Sequence, residues 1–199
     1  MRFIFWCCLL LNNSVHSQNI LKNSQQLPSG QLTMTQAEPL RIIDFTVTKE
    51  VDNWRVTNDS VMGGLSNGLM TGKQKHGVFS GNISLRNNGG FSSIFRQIEP
   101  LPQDLAGVLI DIEGDGLTYQ ARMVVNFKGY RLAYKYDVET TLGQRKKIFL
   151  KFTDFQASFR GRIISTAPTL KSEDIREVGF LVTRKTEGTF ALVIFSLVF

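Results

Sequence analysis

Two stretches carry most of what this chain could use for chemistry. The first is Trp54 followed by Asn58, Asp59, Ser60, Val61, Met62, Gly63, Gly64, Leu65 and Ser66; the second is Asn87, Asn88, Gly89, Gly90 and Phe91. Each sets a glycine pair beside polar side chains and an apolar anchor, outside any helical or strand period. Glycine pairs serve where the backbone takes φ > 0 or where another group must come close. Both stretches therefore read as a built loop surface. Asp59 could accept hydrogen bonds from a ligand, but an aspartate in a loop more often closes a turn onto its own backbone, and that reading is favoured. Trp54 could stack on a sugar face or plug one end of the fold; the plug is favoured. Tyr134 joins these residues as a candidate binding surface, and with Tyr136 on the same strand face it offers at most one row of rings.

Catalysis finds little support. Residues 59–66 lack the lysine and the strand–helix context of a phosphate loop. Asp44 and Asp137 give no acid/base pair, because the separation that matters is spatial. His76 sits between Lys75 and Gly77 in a polar stretch and reads as surface. Asp111, Glu113 and Asp115 alternate around Gly114 and could offer oxygens to calcium, but a solvated turn is the expectation. The reading is a non-enzymatic domain with no catalytic residue, no cofactor and no metal assigned.

The N-terminus narrows the chemistry further. Met1-Arg2 is a short basic start, residues 3–11 (FIFWCCLLL) are an unbroken apolar run, and Val15 and Ser17 precede a plausible cut before Gln18. The run is far too short for a spanning helix, which needs about 20 apolar residues. Residues 1–17 are expected to be a signal peptide, so the mature chain is expected to be exported, periplasmic or secreted, with no transmembrane segment. Cys7, Cys8 and His16 leave with that segment. His/Cys zinc sites and Cys–His nucleophile pairs are then excluded.

The chain has 199 residues with 23 Lys+Arg against 17 Asp+Glu, a formal charge of +6. Its basic residues fall in short clusters, at 145–147, at Arg160 and Arg162, and at Arg184-Lys185, none interleaved with aromatics as a single-strand platform would be. Solvated strand edges are the favoured reading, and nucleic acid is an unlikely partner.

Residues 18–40 are rich in Gln, Asn, Ser and Thr with scattered prolines and read as a flexible linker. A single domain over 41–199 follows. Strands are expected near 41–46, 54–57, 78–85, 91–97, 105–112, 117–127, 130–136, 147–152, 178–183 and 189–199, separated by Gly, Asn, Asp or Pro. Tyr119, Ala121, Met123 and Val125 alternate with more polar neighbours, as do Leu132, Tyr134 and Tyr136, the period of strands with one buried face. The last run is apolar almost throughout and is expected to be a central strand buried on both faces. Only 172–176 carries a helical signal. The fold class is all-β, a jelly-roll β-sandwich.

The chain resembles the complex I intermediate-associated protein 30 family. The resemblance rests on Trp54 with the Asn-Asp-x-Val-Met-Gly-Gly-x-Ser block at 58–66, Phe-x-Gly-x-Ile-Ser-Leu at 79–85, and Asn-x-Gly-Gly-Phe at 87–91. Weaker matches follow in order: Gly114-Asp115-Gly116 with Tyr119, then 152–155, Arg160-Gly161, Gly179-Phe180, and Gly188 with Phe190. This resemblance implies a galactose-binding-domain-like jelly roll, similar in shape to carbohydrate-binding modules. It also implies a chaperone-like assembly factor for respiratory complex I (NADH dehydrogenase), binding unfolded or partly assembled protein. Protein is thus the expected partner, with carbohydrate as the alternative.

Overall fold

Alternation dictates the core. Tyr119, Ala121, Met123 and Val125 point inward from one strand, Leu132, Tyr134 and Val138 from the next, and all are buried. The computed structural model describes residues 42–47 and 49–199. The expected signal peptide and linker lie outside the described residues.

Among the described residues, thirteen strands form two antiparallel sheets. They are β1 (Ile42–Asp44), β2 (Trp54–Asn58), β3 (Asn67–Lys73), β4 (His76–Ile83), β5 (Phe91–Gln97), β6 (Gly107–Gly114), β7 (Thr118–Phe127), β8 (Tyr130–Glu139), β9 (Arg145–Lys151), β10 (Gln156–Phe159), β11 (Arg162–Ile163), β12 (Ile175–Thr183) and β13 (Gly188–Val198). A six-stranded sheet runs β3-β4-β13-β6-β9, with β1 also on β13; a seven-stranded sheet runs β11-β10-β8-β7-β12-β5-β2. Neighbours in each sheet are often distant in sequence, as in a jelly roll. Phe79, Ile110, Leu192 and Ile194 from one sheet meet Ile94, Met123, Ile175 and Phe180 from the other in a single core.

β13 is central, but it is not buried on both faces. Phe190, Leu192, Ile194 and Leu197 are buried, while Ala191, Val193 and Phe195 remain half-exposed. One face of β13 fills the sandwich and the other is an outer surface. The helical signal at 172–176 reduces to one 3₁₀ turn, Ser172–Asp174, because β12 begins at Ile175. His76 is not in a loop. It opens β4, half-buried, with its ring 5.4 Å from that of Phe195.

Candidate functional site

The two glycine-rich stretches meet through one carboxylate. Asp59 begins a 3₁₀ turn, Asp59–Met62, immediately after β2, and its side chain is fully buried. It accepts the backbone N–H of Ser66 at 2.9 Å, the Ser66 hydroxyl, the N–H of Gly90 at 2.6 Å and the N–H of Phe91 at 3.3 Å. Burial pushes this carboxyl upward, but the donors from Ser66, Gly90 and Phe91 outweigh it, and the net direction is down. Asp59 therefore stays an anion and ties residues 59–66 to residues 89–91.

The knot has further strands. Ser66 Oγ accepts the N–H of Ser84 at 3.0 Å, and the amide of Asn87 donates to Gly63 O at 3.1 Å. Asn58 Oδ1 accepts Gly68 N–H at 3.0 Å and the Ser92 hydroxyl at 2.6 Å, holding β3 to β2 and β5. Glu187 adds a contribution that no local pattern announces. Its Oε1 accepts Leu85 N–H at 2.9 Å and the Ser84 hydroxyl at 2.8 Å, and these bonds lower its pKa.

The glycines serve two different needs. Gly63 (φ +87°) and Gly90 (φ +131°) hold left-handed backbone, as do Asn87 (φ 55°) and Asn88 (φ 59°), asparagine being tolerated there. Gly64 and Gly89 do not. They are required by proximity: a Cβ on Gly64 would lie 2.4 Å from Asp59 Cγ, and one on Gly89 2.6 Å from Asp59 Oδ2.

Two candidate residues belong to the core, Trp54 as the favoured reading had it and Tyr134 against its reading as a binding surface. Trp54 is only 7% exposed, stacks on Phe45 at 5.9 Å, and donates its indole N–H to Glu50 Oε1 at 3.2 Å. Glu50, itself buried, is clasped by both Nε and Nη2 of Arg96. Trp54 is thus the plug. Tyr134 is 2% exposed, and its hydroxyl donates to Pro168 O at 2.8 Å. Neither ring is free to stack on a sugar, because both are buried and hydrogen-bonded inside the fold.

The knot displays several large apolar side chains. Val61 (69% exposed), Met62 (62%) and Leu65 (48%) stand on its first loop and Leu85 beside its second. Asn87 and Asn88 are exposed among them, while Asp59, Gly64, Ser66 and Gly90 are buried beneath.

The carboxylates near Gly114 have other employment. Asp111 receives Nε and Nη2 of Arg145, both at 2.7 Å; Asp115 accepts Leu117 N–H, the Tyr119 hydroxyl and Ala191 N–H. Among the described residues, no group of three His, Cys, Asp or Glu side chains comes together as for a metal. No described helix is long and apolar enough to cross a membrane.

A separate groove of about 620 Å³ lies beside β2 and β5, lined by Ile43, Arg55, Phe95, Arg96 and Glu177 among others. Glu177 accepts Nε and Nη2 of Arg131, each at 3.0 Å, and Nη2 of Arg55 at 3.2 Å; the donors and charge of Arg131, then of Arg55, overcome its burial and lower its pKa. Sequence reading missed this groove, since its partners come from β2, β8 and β12.

Comparison with known proteins places the fold. The chain is similar to the family 11 carbohydrate-binding module of a cellulosomal cellulase of Clostridium thermocellum, at 14% identity and a TM-score of 0.59, covering 81% of this chain and 95% of that one. A second structure of the family 11 module from Clostridium thermocellum, in complex with a β-1,3-1,4-mixed-linked tetrasaccharide, matches at 14% identity and a TM-score of 0.56, covering 78% and 94%. These likenesses show a shared jelly roll. No curated protein sequence matches the chain significantly. A family model does, over residues 43–194, taking in the Asp59 knot, Trp54 and both glycine pairs: the chain belongs to the complex I intermediate-associated protein 30 family.

Proposed function

We propose that this domain is a non-enzymatic binding module of the assembly-factor type, which holds unfolded or partly assembled protein, with subunits of respiratory complex I as the clients that its family suggests. The observation that carries this reading is the display of Val61, Met62, Leu65 and Leu85 on loops fixed from below by Asp59. Exposed apolar side chains in one place mark a surface that another chain can cover. Fixing the loops lowers the ordering cost of binding, because their backbone is already held in place before a partner arrives.

The test is suppression of aggregation of a thermally unfolding client enzyme, followed by light scattering, beside crosslinking pull-down from the native cells. The parent chain suppresses scattering; the Met62→Ser/Leu65→Ser double variant, with unchanged melting, does not. Recovery of complex I subunits supports the client assignment. Equal suppression by parent and double variant removes the apolar loops from the function.

The carbohydrate alternative draws on the fold shared with family 11 modules, one of which was solved with a tetrasaccharide. It now has to do without Trp54 and Tyr134 as stacking rings. A micromolar hit on a glycan array would restore it.

A further inference from the structure

Two hairpin turns of the seven-stranded sheet are built alike. β7 turns into β8 through Phe127-Lys128-Gly129-Tyr130, and β10 turns into β11 through Phe159-Arg160-Gly161-Arg162. Each closes on a cross-strand pair, Phe127 with Tyr130 and Phe159 with Arg162. Both central residues of each turn hold φ > 0: Lys128 at 51° and Gly129 at 82°, Arg160 at 48° and Gly161 at 79°. Two-residue hairpins use such backbone, and asparagine or aspartate before glycine supplies it most easily. A lysine and an arginine at that first position are strained by comparison. Strain kept twice in the same form points to a use outside the turns themselves.

The sheet brings the two turns together. β10 pairs with β8 so that Ala157 stands opposite Tyr134 and Ser158 opposite Ala133. Carried on, that register sets Arg160 and Gly161 beside Arg131 and Tyr130. The shared end displays Tyr130 (78% exposed) together with Phe159 and Ile163, both exposed. With them stand Lys128, Arg160 and Arg162, all exposed and without a carboxylate partner among the described residues. Arg131, next to them, is held by Glu177. Cations that only guard a sheet edge have no need of three large apolar side chains exposed among them.

We propose that this end of the domain seats on an anionic membrane surface, with Lys128, Arg160 and Arg162 on the lipid phosphates and Tyr130, Phe159 and Ile163 in the headgroup layer. Clustered cations are drawn to such a surface, and apolar side chains beside them enter its boundary. Tyrosine suits that layer, having an apolar body and a polar tip. A nucleic acid fits less well. Bases stack on open rings, and each turn's phenylalanine already carries the turn's own cation, Lys128 at 5.3 Å from the centre of Phe127 and Arg160 at 5.5 Å from that of Phe159. A folded protein also fits less well, because narrow, convex turns supply little of the roughly 800 Å² per side that a stable interface buries. Lipid headgroups instead close round a protruding turn. This attachment is separate from client binding. Asn58 aligns with Ser92, Val182 and Tyr119, so the Asp59 knot lies at the Tyr119 end of β7. Phe127 is eight positions further on, about 27 Å away along the strand. A domain seated on its turns holds Val61, Met62 and Leu65 away from the membrane, free for a client.

The experiment uses the full chain and vesicles of mixed phosphatidylcholine and phosphatidylglycerol, with pure phosphatidylcholine as control, read by co-sedimentation at low and high salt. The parent binds the mixed vesicles, and binding weakens as salt rises. Lys128→Asn/Arg160→Asn/Arg162→Gln weakens it by about thirtyfold or more, at roughly fivefold for each cation removed. That variant melts at or above the parent's temperature, since asparagine suits both turns. Phe159→Ser/Ile163→Ser weakens binding by about tenfold. Arg86→Gln/Lys146→Gln/Lys185→Gln, which removes the same charge away from the turns, stays within about threefold of the parent. Residues 3–11 are apolar in all of these chains, so contact is also read at the turn itself: Ile163→Trp gains emission that brominated lipid quenches, beyond the parent's own tryptophan signal. Met62→Ser/Leu65→Ser binds vesicles like the parent, so failure of the membrane site and failure of client binding are told apart. Equal binding by the asparagine variant, an equal loss in the charge-matched control, or no added quenching in Ile163→Trp overturns the proposal. So does turn-dependent binding of single-stranded RNA or of polyglutamate without binding of vesicles, which gives the surface to another polyanion.

Discussion

Asp59 accepts the backbone N–H of Gly90 at 2.6 Å across 31 positions of sequence. That single bond joins the two most distinctive stretches of the chain, and it explains why they occur together. The aspartate supplies the acceptor; the glycines allow the backbone to come close enough to donate.

Asp59→Asn should therefore cost far more than a surface change. The amide presents its N–H₂ either to the N–H of Ser66 or to the N–H groups of Gly90 and Phe91, leaving at least one backbone donor unpaired. The expected loss is about 3 kcal/mol, from a few unsatisfied bonds of about 1–3 kcal/mol each. Urea unfolding at neutral pH measures it. A loss below about 0.5 kcal/mol, the range of ordinary surface substitutions, would show that the knot is not holding the loops.

The same carboxylate sets an acid limit. Its folded pKa lies below the ordinary value of 3.8, so the stability it contributes is fully present above that unfolded value. It is lost as pH falls through the lower folded pKa. Glu177, also lowered, acts in the same direction. Melting temperature should fall steeply below about pH 4, and Asp59→Asn should flatten that limb while lowering the neutral plateau. An acid limb of equal slope in the variant would assign the dependence to other carboxylates.

Gly63 and Gly64 should separate cleanly. Gly63→Ala meets nothing within 4 Å and has only its φ of +87° against it, for an expected cost of about 1–2 kcal/mol. Gly64→Ala instead drives a methyl into Asp59, whose position is held by Ser66, Gly90 and Phe91. Overpacking of this kind costs about 1–3 kcal/mol, and here it also loosens the carboxylate's bonds, so Gly64→Ala should melt lower than Gly63→Ala. The reverse order would mean that Asp59 yields freely.

Arg122→Met should leave stability unchanged or raise it by about 1 kcal/mol, because an apolar side chain relieves a buried charge whose Nε lacks an acceptor. Thermal melting checks this. A drop of several degrees would give Arg122 a purely structural role in binding Gln120 and Ser158 together.

We propose that the chain is cut before Gln18 and exported. Intact mass of protein from the native host should correspond to a start at Gln18, without Cys7 and Cys8. A mass retaining both cysteines overturns the export reading.

Most strands were legible because their inward residues alternate: Tyr119, Ala121, Met123 and Val125 announce β7 by themselves. β3 was not, since Asn67–Lys73 is an edge strand with two glycines and mostly exposed side chains, leaving no periodic signal. The β10–β11 hairpin escaped for a similar reason, being short and at an edge of the other sheet. At the site, the residue types were visible but their roles were not. Trp54 gives no sign of Phe45 and Glu50 until β1 and the turn before β2 fold over it. Nor could spacing reveal that Glu187 serves Ser84, because that depends on strands that pair far out of sequence order.

The position of β13 has a consequence for the order of events in the cell. Gly188–Val198 pairs with β1, β4 and β6 and so supplies the middle of the six-stranded sheet. That sheet cannot close while residues 188–198 are still inside the ribosome or a translocation channel. Until then β4 and β6 lack the partner that lies between them. Sheets that wait for such long-range pairing form slowly. A chain that folds late remains threadable, a property that matches the export proposed above.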